Sequence, residues 1–442
     1  MKSSLCLMGA VSVLALTAGH AVAQDVAGDN ANTPDTIVVV GQNTYRDRTD
    51  DINPTLSYDL DFFQRFEPVT VGEMLKRTPG VTFTSDVLEF DGVQMRGLGK
   101  EYSQILINGR KVPGQGADRS FFVDRIPAEL VERIEIIRSP SADMSSEGVA
   151  GTLNIILKDG AALDGILARA GVTYYGDGDN AVRPSAAVAV AKDGDGYDYW
   201  LGFNVQQRRN PKEKVEEYFD DEELEGFAFE DDTRNGTDYS LNGSLGFELP
   251  NGDARLNGYM VFTDRTEKEF VEEYEGDVID RDQGTIAEIA QQNEDIDQTS
   301  WGFDGVYAVA LGGGEFELAG GVSRFNEDSL TIETEDKFDD GVFEERETDE
   351  ETLDIEDTEY AGSVSYKMPL GAGFELKTGL DAKRSERSGL QAGLLFDTEA
   401  EIEETVFAPY AKLTAEFASN IVLEGGLRYD IYKRDITSED GE

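Results

Sequence analysis

From residue 164 onward the chain alternates apolar and polar residues over segments of about ten residues or more, a period of two that predicts strands with one face of each kind. Tyr197, Tyr199, Leu201, Phe203 and Val205 alternate with Asp198, Trp200, Gly202, Asn204 and Gln206. Phe374, Leu376, Leu380 and Ala382 alternate likewise with Glu375, Lys377, Gly379, Asp381 and Lys383, and residues 421–431 behave similarly. Strands of this length suit a wall between lipid and a wet lumen. The same period fits a soluble sandwich, whose strands usually run to about five or six residues. Tight turns are expected at 192–196, 250–253, 312–315, 370–373 and 419–420, with long loops at 210–235, 268–297, 332–354 and 389–402. Short turns on one rim and long loops on the other form the outer-membrane pattern, turns periplasmic and loops outside. About eleven strands are expected in all, and residues 436–442 read as an acidic, loop-like tail.

Upstream, residues 46–158 read as short helices and strands. Thr70-Val71-Gly72-Glu73 is a capping box that predicts a helix over residues 71–77, stopped by Pro79-Gly80. Strands are expected at 93–96 and 104–107, the second leading to Asn108-Gly109, a strong hairpin signal. The stretch 128–158, AELVERIEIIRSPSADMSSEGVAGTLNIILK, is the most informative. Pro127 suits the first position of a short helix completed by residues 128–131. A strand over 134–138 follows, with Ile134 and Ile136 facing one way and Glu135 and Ile137 the other. Ser139-Pro140 breaks it, and Gly148 and Gly151 allow the turn into a second strand at 153–157. By spacing alone the stretch also fits an ordinary α+β core segment.

The N-terminus sets the compartment. Lys2 precedes an apolar run over residues 5–16, and Ala21-Val22-Ala23 before Gln24 has the small-x-small form of a signal-peptidase site, so residues 1–23 read as a cleaved signal peptide. Cys6 and His20, the single residues of their kinds, both precede that cut. Thiolate nucleophiles, histidine triads, Cys/His metal sites and disulfides then have nothing to build on. Carboxylate-only chemistry stays open, but among 90 acidic residues a chance pair carries no information, so no enzyme and no cofactor is expected and no metal site is assigned. A formal net charge of −51 leaves no basic surface for a nucleic acid. No apolar run of about 18 residues follows the signal peptide, which excludes helical spans but not a β-barrel. Residues 24–34 form a small, polar linker into Asp35, Thr36, Ile37, Val38, Val39, Val40 and Gly41. Such an extended, β-branched segment can pair with the edge of a partner sheet, and it equally suits the first strand of a soluble domain.

Taken in order, VGEMLKRTPGV, VQMRGLG, QILINGRKV, VERIEIIRSP and EGVAGTLNIILK resemble, motif by motif, the plug domain of TonB-dependent outer-membrane receptors. The resemblance implies a mostly β protein: a periplasmic linker (24–45), a small α+β plug domain (46–160), and an antiparallel transmembrane β-barrel begun by residues 161–442. It implies that residues 35–41 are a TonB box. The implied partners are TonB with its inner-membrane energising complex, outer-membrane lipid or lipopolysaccharide, and a small ligand. Loops at the outer apex of the plug (82–91, 98–103 and 113–120) would touch that ligand, which makes Asp86, Lys100, Tyr102, Gln115, Asp118 and Arg119 candidate contacts, although each also reads as a solvated turn residue. Arg96, Arg133, Glu135 and Arg138 would supply ion pairs that hold plug against barrel, or static surface salt bridges. The turn SPSADMSSEGVAG departs from the commoner family form and leaves siderophore, cobalamin, glycan and peptide open as cargo. The family barrel has about twenty-two strands, so about eleven, an odd number, leads to the expectation of a C-terminally truncated, incomplete barrel.

The expected outer loops are intensely acidic, as in residues 216–223 and 344–351. They read as a solvated, self-repelling surface, as a surface bridged to lipopolysaccharide by divalent cations, or as a device that concentrates a cationic or metal-bearing ligand. Asp193-Gly194-Asp195-Gly196 begins like a calcium loop but lacks the later ligands and fits a turn. Two function classes follow. One is TonB-driven import of a scarce ligand; the other is a non-transporting surface or adhesion protein whose acidic loops bind cations.

Overall fold

The computed structural model describes residues 47–48, 55–68, 70–85, 91–111, 123, 126, 128, 131–145, 147–158, 164–176, 180–220, 223–393, 397–417 and 421–440. The expected signal peptide and residues 35–41 lie outside them. The N-terminal part holds β1 (Asp47–Arg48), β2 (Thr55–Asp59), α1 (Leu60–Gln64), α2 (Val71–Lys76), β3 (Val81–Ser85), β4 (Asp91–Met95), β5 (Ser103–Ile107), β6 (Arg110–Lys111), β7 (Val131–Ile137) and β8 (Gly151–Leu157). Six of its strands form one sheet in the order β1-β2-β7-β8-β5-β6, and β3 pairs with β4 apart from it.

Capping places the helices. The Asp59 side chain accepts from the Phe62 N–H at 3.0 Å, and Thr70 Oγ1 accepts from the Glu73 N–H at 3.3 Å, so the capping box starts α2 where the sequence put it. Phe63, Val71, Met74 and Leu75 from the helices meet Ile134, Leu153 and Ile155 from β7 and β8 in one buried core. Each such side chain contributes about 1.5–3 kcal/mol on burial, enough to hold a sheet whose strands are short. Ile134 and Ile136 are buried and Glu135 is not, as the alternation requires. Asn108 and Gly109 both take positive φ (49° and 76°), the geometry of the tight turn expected between β5 and β6. Val131, expected to end a helical turn, instead opens β7 and pairs with Leu157. Residues 82–85, expected within an apical loop, are strand, because Thr82 and Phe83 pair with Gln94 and Val93.

The remainder is one antiparallel sheet made of β9 (Gly165–Tyr175), β10 (Ala181–Asp193), β11 (Tyr197–Asp220), β12 (Glu223–Leu249), β13 (Gly252–Glu275), β14 (Thr285–Leu311), β15 (Gly314–Asp339), β16 (Val342–Gly371), β17 (Phe374–Ala392), β18 (Asp397–Glu416), β19 (Val422–Arg428) and β20 (Ile431–Asp440). Each strand pairs with its sequence neighbour, except that β19 and β20 both pair with β18. Arg428 faces Tyr410 and Ile431 faces Phe407, so β19 and β20 continue one register line and amount to an eleventh strand with a break. The break lies opposite Pro409, which has no N–H to give to the ladder but still accepts from the Tyr429 N–H at 3.0 Å. The acidic stretch from residue 436, expected as a loop-like tail, is strand through Asp440. Among the described residues, β9 and the β19–β20 line are the free edges of an unclosed sheet.

The faces of this sheet are inverted relative to a soluble one. Along β11, Leu201 and Phe203 are exposed while Gly202, Asn204, Gln206 and Arg208 are buried, and on β12 Tyr239 and Leu241 are exposed while Asp238, Ser240 and Asn242 are buried. An apolar outer band over a polar interior is what a lipid-facing barrel wall demands. Tight turns occupy residues 194–196, 250–251, 312–313 and 372–373, all at one rim, as expected; residues 419–420 fall outside the described residues. The opposite rim differs from expectation. Most of 210–235, 268–297, 332–354 and 389–402 is strand, with β11 and β12 paired out to Asp220 and Glu223 and β15 and β16 out to Asp339 and Val342. Cross-strand pairs such as Lys214–Glu230, Lys337–Glu347 and Arg346–Asp336 offset the repulsion that made these acidic runs look like loops.

Candidate functional site

The turn after β7, described at residues 139–145 and 147–150, meets the polar face of β17 and β18. Alternation puts Glu375, Lys377, Gly379, Asp381 and Lys383 on that face of β17. Register sets Lys377 directly opposite Lys412 on β18, so two ammonium groups face each other within the wall. Asp143 resolves the conflict: its carboxylate lies 2.9 Å from Lys377 Nζ and 3.0 Å from Lys412 Nζ. Burial works against the Asp143 charge, yet the Ser141 hydroxyl and the two lysines hold its carboxyl well below the usual carboxylate range. Higher on the wall, Lys383 stands opposite Ala361 and Val406, diagonal to Glu359 on β16 and Glu404 on β18. Its Nζ lies 3.1 Å from Glu147 of the same turn, 3.4 Å from Glu404 and 4.0 Å from Glu359. Gly426 completes the seat, because a Cβ there would come within 2.5 Å of Ala142 Cβ.

The glycine at which the turn ends is also accounted for. Gly151 has φ +142°, and a Cβ on it would strike Met95 and the Ile137 carbonyl. That close approach lets the turn feed straight into β8.

Of the residues expected to pair plug with barrel, Arg133 and Glu135 pair with each other, at 2.8 Å. Glu135 also accepts from Asn154 Nδ2 at 2.9 Å, and Asn154 Oδ1 accepts from the Gly109 N–H at 2.8 Å. They therefore tie β7, β8 and the β5–β6 turn together within the N-terminal part, because positions two apart on one strand share a face. Arg96 sits in a turn with φ 56° and Arg138 just beyond β7; both are exposed, and neither has an ion pair among the described residues. The seat is built instead by Asp143, Glu147, Lys377, Lys383 and Lys412. Alternation had placed Lys377 and Lys383 on the polar face, but Asp143 lies 234 positions before Lys377, and no local pattern links them.

Of the candidate ligand contacts, Asp86, Gln115, Asp118 and Arg119 lie outside the described residues. Lys100 and Tyr102 share one 3-10 turn (Lys100–Tyr102); Tyr102 is exposed, and its carbonyl accepts from the Ala150 N–H at 2.8 Å. Among the described residues Glu230, Asp232 and Glu269 bring carboxylate oxygens within 4.8 Å of one another. Lys212 already pairs with Glu230 at 2.6 Å and with Asp232 at 3.3 Å, so an ammonium stands where a cation would. Burial, then Glu230 and Asp232, push the Glu269 carboxyl up. No helix among the described residues is long and apolar enough to cross a membrane.

Residues 31–152 match the family model described as the TonB-dependent Receptor Plug Domain. Among solved structures the chain is similar to the alcaligin outer-membrane receptor FauA of Bordetella pertussis, at 12% identity over 87% of this chain and 71% of that one, with a TM-score of 0.44. It is also similar to a mutant ferric enterobactin receptor, PfeA, of Pseudomonas aeruginosa in complex with enterobactin, at 12% identity over 87% and 81% of the two chains, with a TM-score of 0.39. The plug match, and not these distant likenesses, carries the argument.

Proposed function

We propose that this TonB-dependent receptor, placed in that family by the plug domain its residues 31–152 match, imports a scarce ligand across the bacterial outer membrane. The division that goes with this reading is a signal peptide (1–23), a linker carrying the TonB box (24–45), a plug (46–160) and a barrel wall (161–442). Ligand contacts are proposed at the plug apex, on Asp86, Lys100, Tyr102, Gln115, Asp118 and Arg119. The family is one of transport receptors, and no covalent step is involved. Ligand binding makes Asp35, Thr36, Ile37, Val38, Val39, Val40 and Gly41 available to TonB, which pairs with this segment as an added strand and pulls.

One observation supports this reading most: the plug is held to the lumen wall by ion pairs that have substitutes at hand. When residues 139–150 leave the wall, Glu404 and Glu359 remain beside Lys383, and Glu424, 3.9 Å away, remains beside Lys412. Those two lysines are then not stranded as buried, uncompensated charges, and the cost of release falls mainly on Lys377. Val38→Pro tests the reading, since proline removes the backbone donor that strand addition needs. Uptake should be lost with ligand binding retained. Unchanged uptake would remove the transport mechanism and leave the surface-protein alternative.

A further inference from the structure

The ends of three neighbouring hairpins carry apolar side chains on top of acidic walls. Tyr218 and Phe219 near the β11–β12 end, Val278 and Ile279 between β13 and β14, and Val342 and Phe343 at the start of β16 are all exposed, Phe219 by 60% and Val342 by 68%. The three ends form one crest. The Gly276 N–H donates to the Glu225 carbonyl at 2.8 Å, joining the first to the second, and a Cβ on Gly341 would lie 3.4 Å from Thr285, joining the second to the third. The crest is preformed: beneath it Phe227 is fully buried and stacks on Tyr274 with ring centroids 5.3 Å apart, and Phe338 meets Phe343 edge-on at 5.9 Å. It also stands far from lipid. Between Tyr360, in the apolar outer band, and Val342, β16 runs roughly 60 Å along its own axis at about 3.3 Å per residue, which at a strand tilt of about 40° is roughly 45 Å of height.

Turn geometry does not call for these side chains. Asp340 and Gly341, with φ 47° and 73°, make the β15–β16 turn, and Val342 and Phe343 merely follow it. An exposed apolar cluster on a water-facing tip marks a contact surface. Its occupant must tolerate the charge below, since segments 210–235, 268–297, 332–354 and 389–402 together hold 37 acidic and 7 basic residues. The crest also spans six strands, about 24 Å at roughly 4.8 Å each, which is wider than a small ligand but matched by about seven residues of extended chain.

We propose that this crest docks a cationic, amphipathic polypeptide, its apolar side chains on Phe219, Val342 and Phe343 and its basic ones over the flanking carboxylates. The proposal goes beyond the uptake reading and requires neither plug movement nor TonB. The test measures binding of three short labelled peptides to the full chain in lipid, at roughly 0.15 M salt: alternating lysine and leucine, lysine alone at equal charge, and alternating glutamate and leucine. The lysine–leucine peptide should bind at least about tenfold more tightly than either control. The paired variant F219S with V342S, and V342S alone as a milder change, should bring it to within about twofold of lysine alone. Equal binding of the two cationic peptides, tight binding of the glutamate peptide, or an undiminished preference in both variants would overturn the proposal. So would self-association of the chain that the same variants abolish, which would assign the crest to a second copy.

Discussion

Replacing Asp143 with Asn keeps the shape of the seat and removes the charge standing between Lys377 and Lys412, which face each other directly across β17 and β18. Like charges opposite one another in a sheet repel, so the substitution deletes two attractions and uncovers one repulsion. An exposed ion pair contributes at most about 1 kcal/mol, whereas breaking a buried one costs about 3–5 kcal/mol. The Asp143 side chain is 10% exposed and the two lysines 29% and 19%. The seat therefore lies between those limits, at about 2–3 kcal/mol. At about 1.4 kcal/mol per decade, local opening of residues 139–150 should rise roughly 30- to 150-fold. Hydrogen exchange of that segment, measured on the full chain in lipid, reads this directly. A second arm separates charge from shape: in a Lys412→Met background the ammonium pair is gone, and Asp143→Asn should cost measurably less. Exchange that is unchanged, or an equal cost in both backgrounds, would refute the electrostatic seat. The pH dependence has a definite sign. A carboxyl depressed in the folded state contributes stability that is present above its unfolded pKa, near 3.9, and is lost as pH falls toward the folded value. Seating should be level from about pH 8 to about pH 5 and weaken only below about pH 4.

Gly426→Val should unseat the same turn sterically, by about 1–3 kcal/mol, because its Cβ would meet Ala142 at 2.5 Å and the Ala411 carbonyl at 2.9 Å. Gly425→Val, with nothing within 4 Å of the added Cβ, is the control, and matching exchange in the two variants would count against the contact. Asp264, Asp297, Asp328 and Asp354 stand directly opposite one another on β13 to β16. Asp328→Asn should raise the melting temperature, by an amount equivalent to about 0.2–1 kcal/mol; a lower melting point would show that the row is held by something other than mutual repulsion. Burial, followed by neighbouring carboxylates, pushes up the acids of Glu269, Glu288 and Glu333 in the outer hairpins. An acid raised in the folded state binds protons more readily there than in the unfolded chain, so these hairpins should gain stability as pH falls from neutral toward about 5. Thermal melts by circular dichroism across that range check the sign, and a loss of stability would reverse it.

Much of the architecture was legible because period-two alternation is a local property. The strand line from residue 164, the turns at one rim, the Thr70 cap and the Asn108-Gly109 turn all follow from neighbours within a few positions. The outer hairpins were misread as loops for the same reason. Acidic residues have weak strand preference and blur alternation, whereas what extends those strands is cross-strand: Lys214 on Glu230, Arg346 on Asp336, and the Phe227–Tyr274 stack. Arg133 and Glu135 fit two sequence readings, ion pairs to the barrel or a static salt bridge, and two residues apart on β7 they meet each other and Asn154. Half of the seat was legible, since alternation places Lys377 and Lys383 on the polar face. Their partner was not, because register between a turn and a wall more than two hundred positions away leaves no trace in either sequence.

The inverted polarity of the wall decides what kind of seat is possible. With Asn204, Gln206 and Asp238 buried behind exposed Leu201, Phe203 and Tyr239, the polar face of the wall offers the turn after β7 few apolar surfaces to dock on. An apolar seat would also release poorly, since moving away would return area to water at about 25 cal/mol per Å² with nothing to replace it. Ion pairs behave differently when alternatives stand nearby. Lys383 can pass from Glu147 to Glu404 or Glu359, and Lys412 from Asp143 to Glu424, so the wall recovers part of what the plug gives up. Among the described residues Lys377 has an ion pair with Asp143 alone, and Glu317 acts on it only from longer range, so its exchange is the weakest of the three. The cost of releasing the turn should therefore concentrate at Asp143 rather than Glu147, and Glu147→Gln should loosen residues 139–150 by less than Asp143→Asn does.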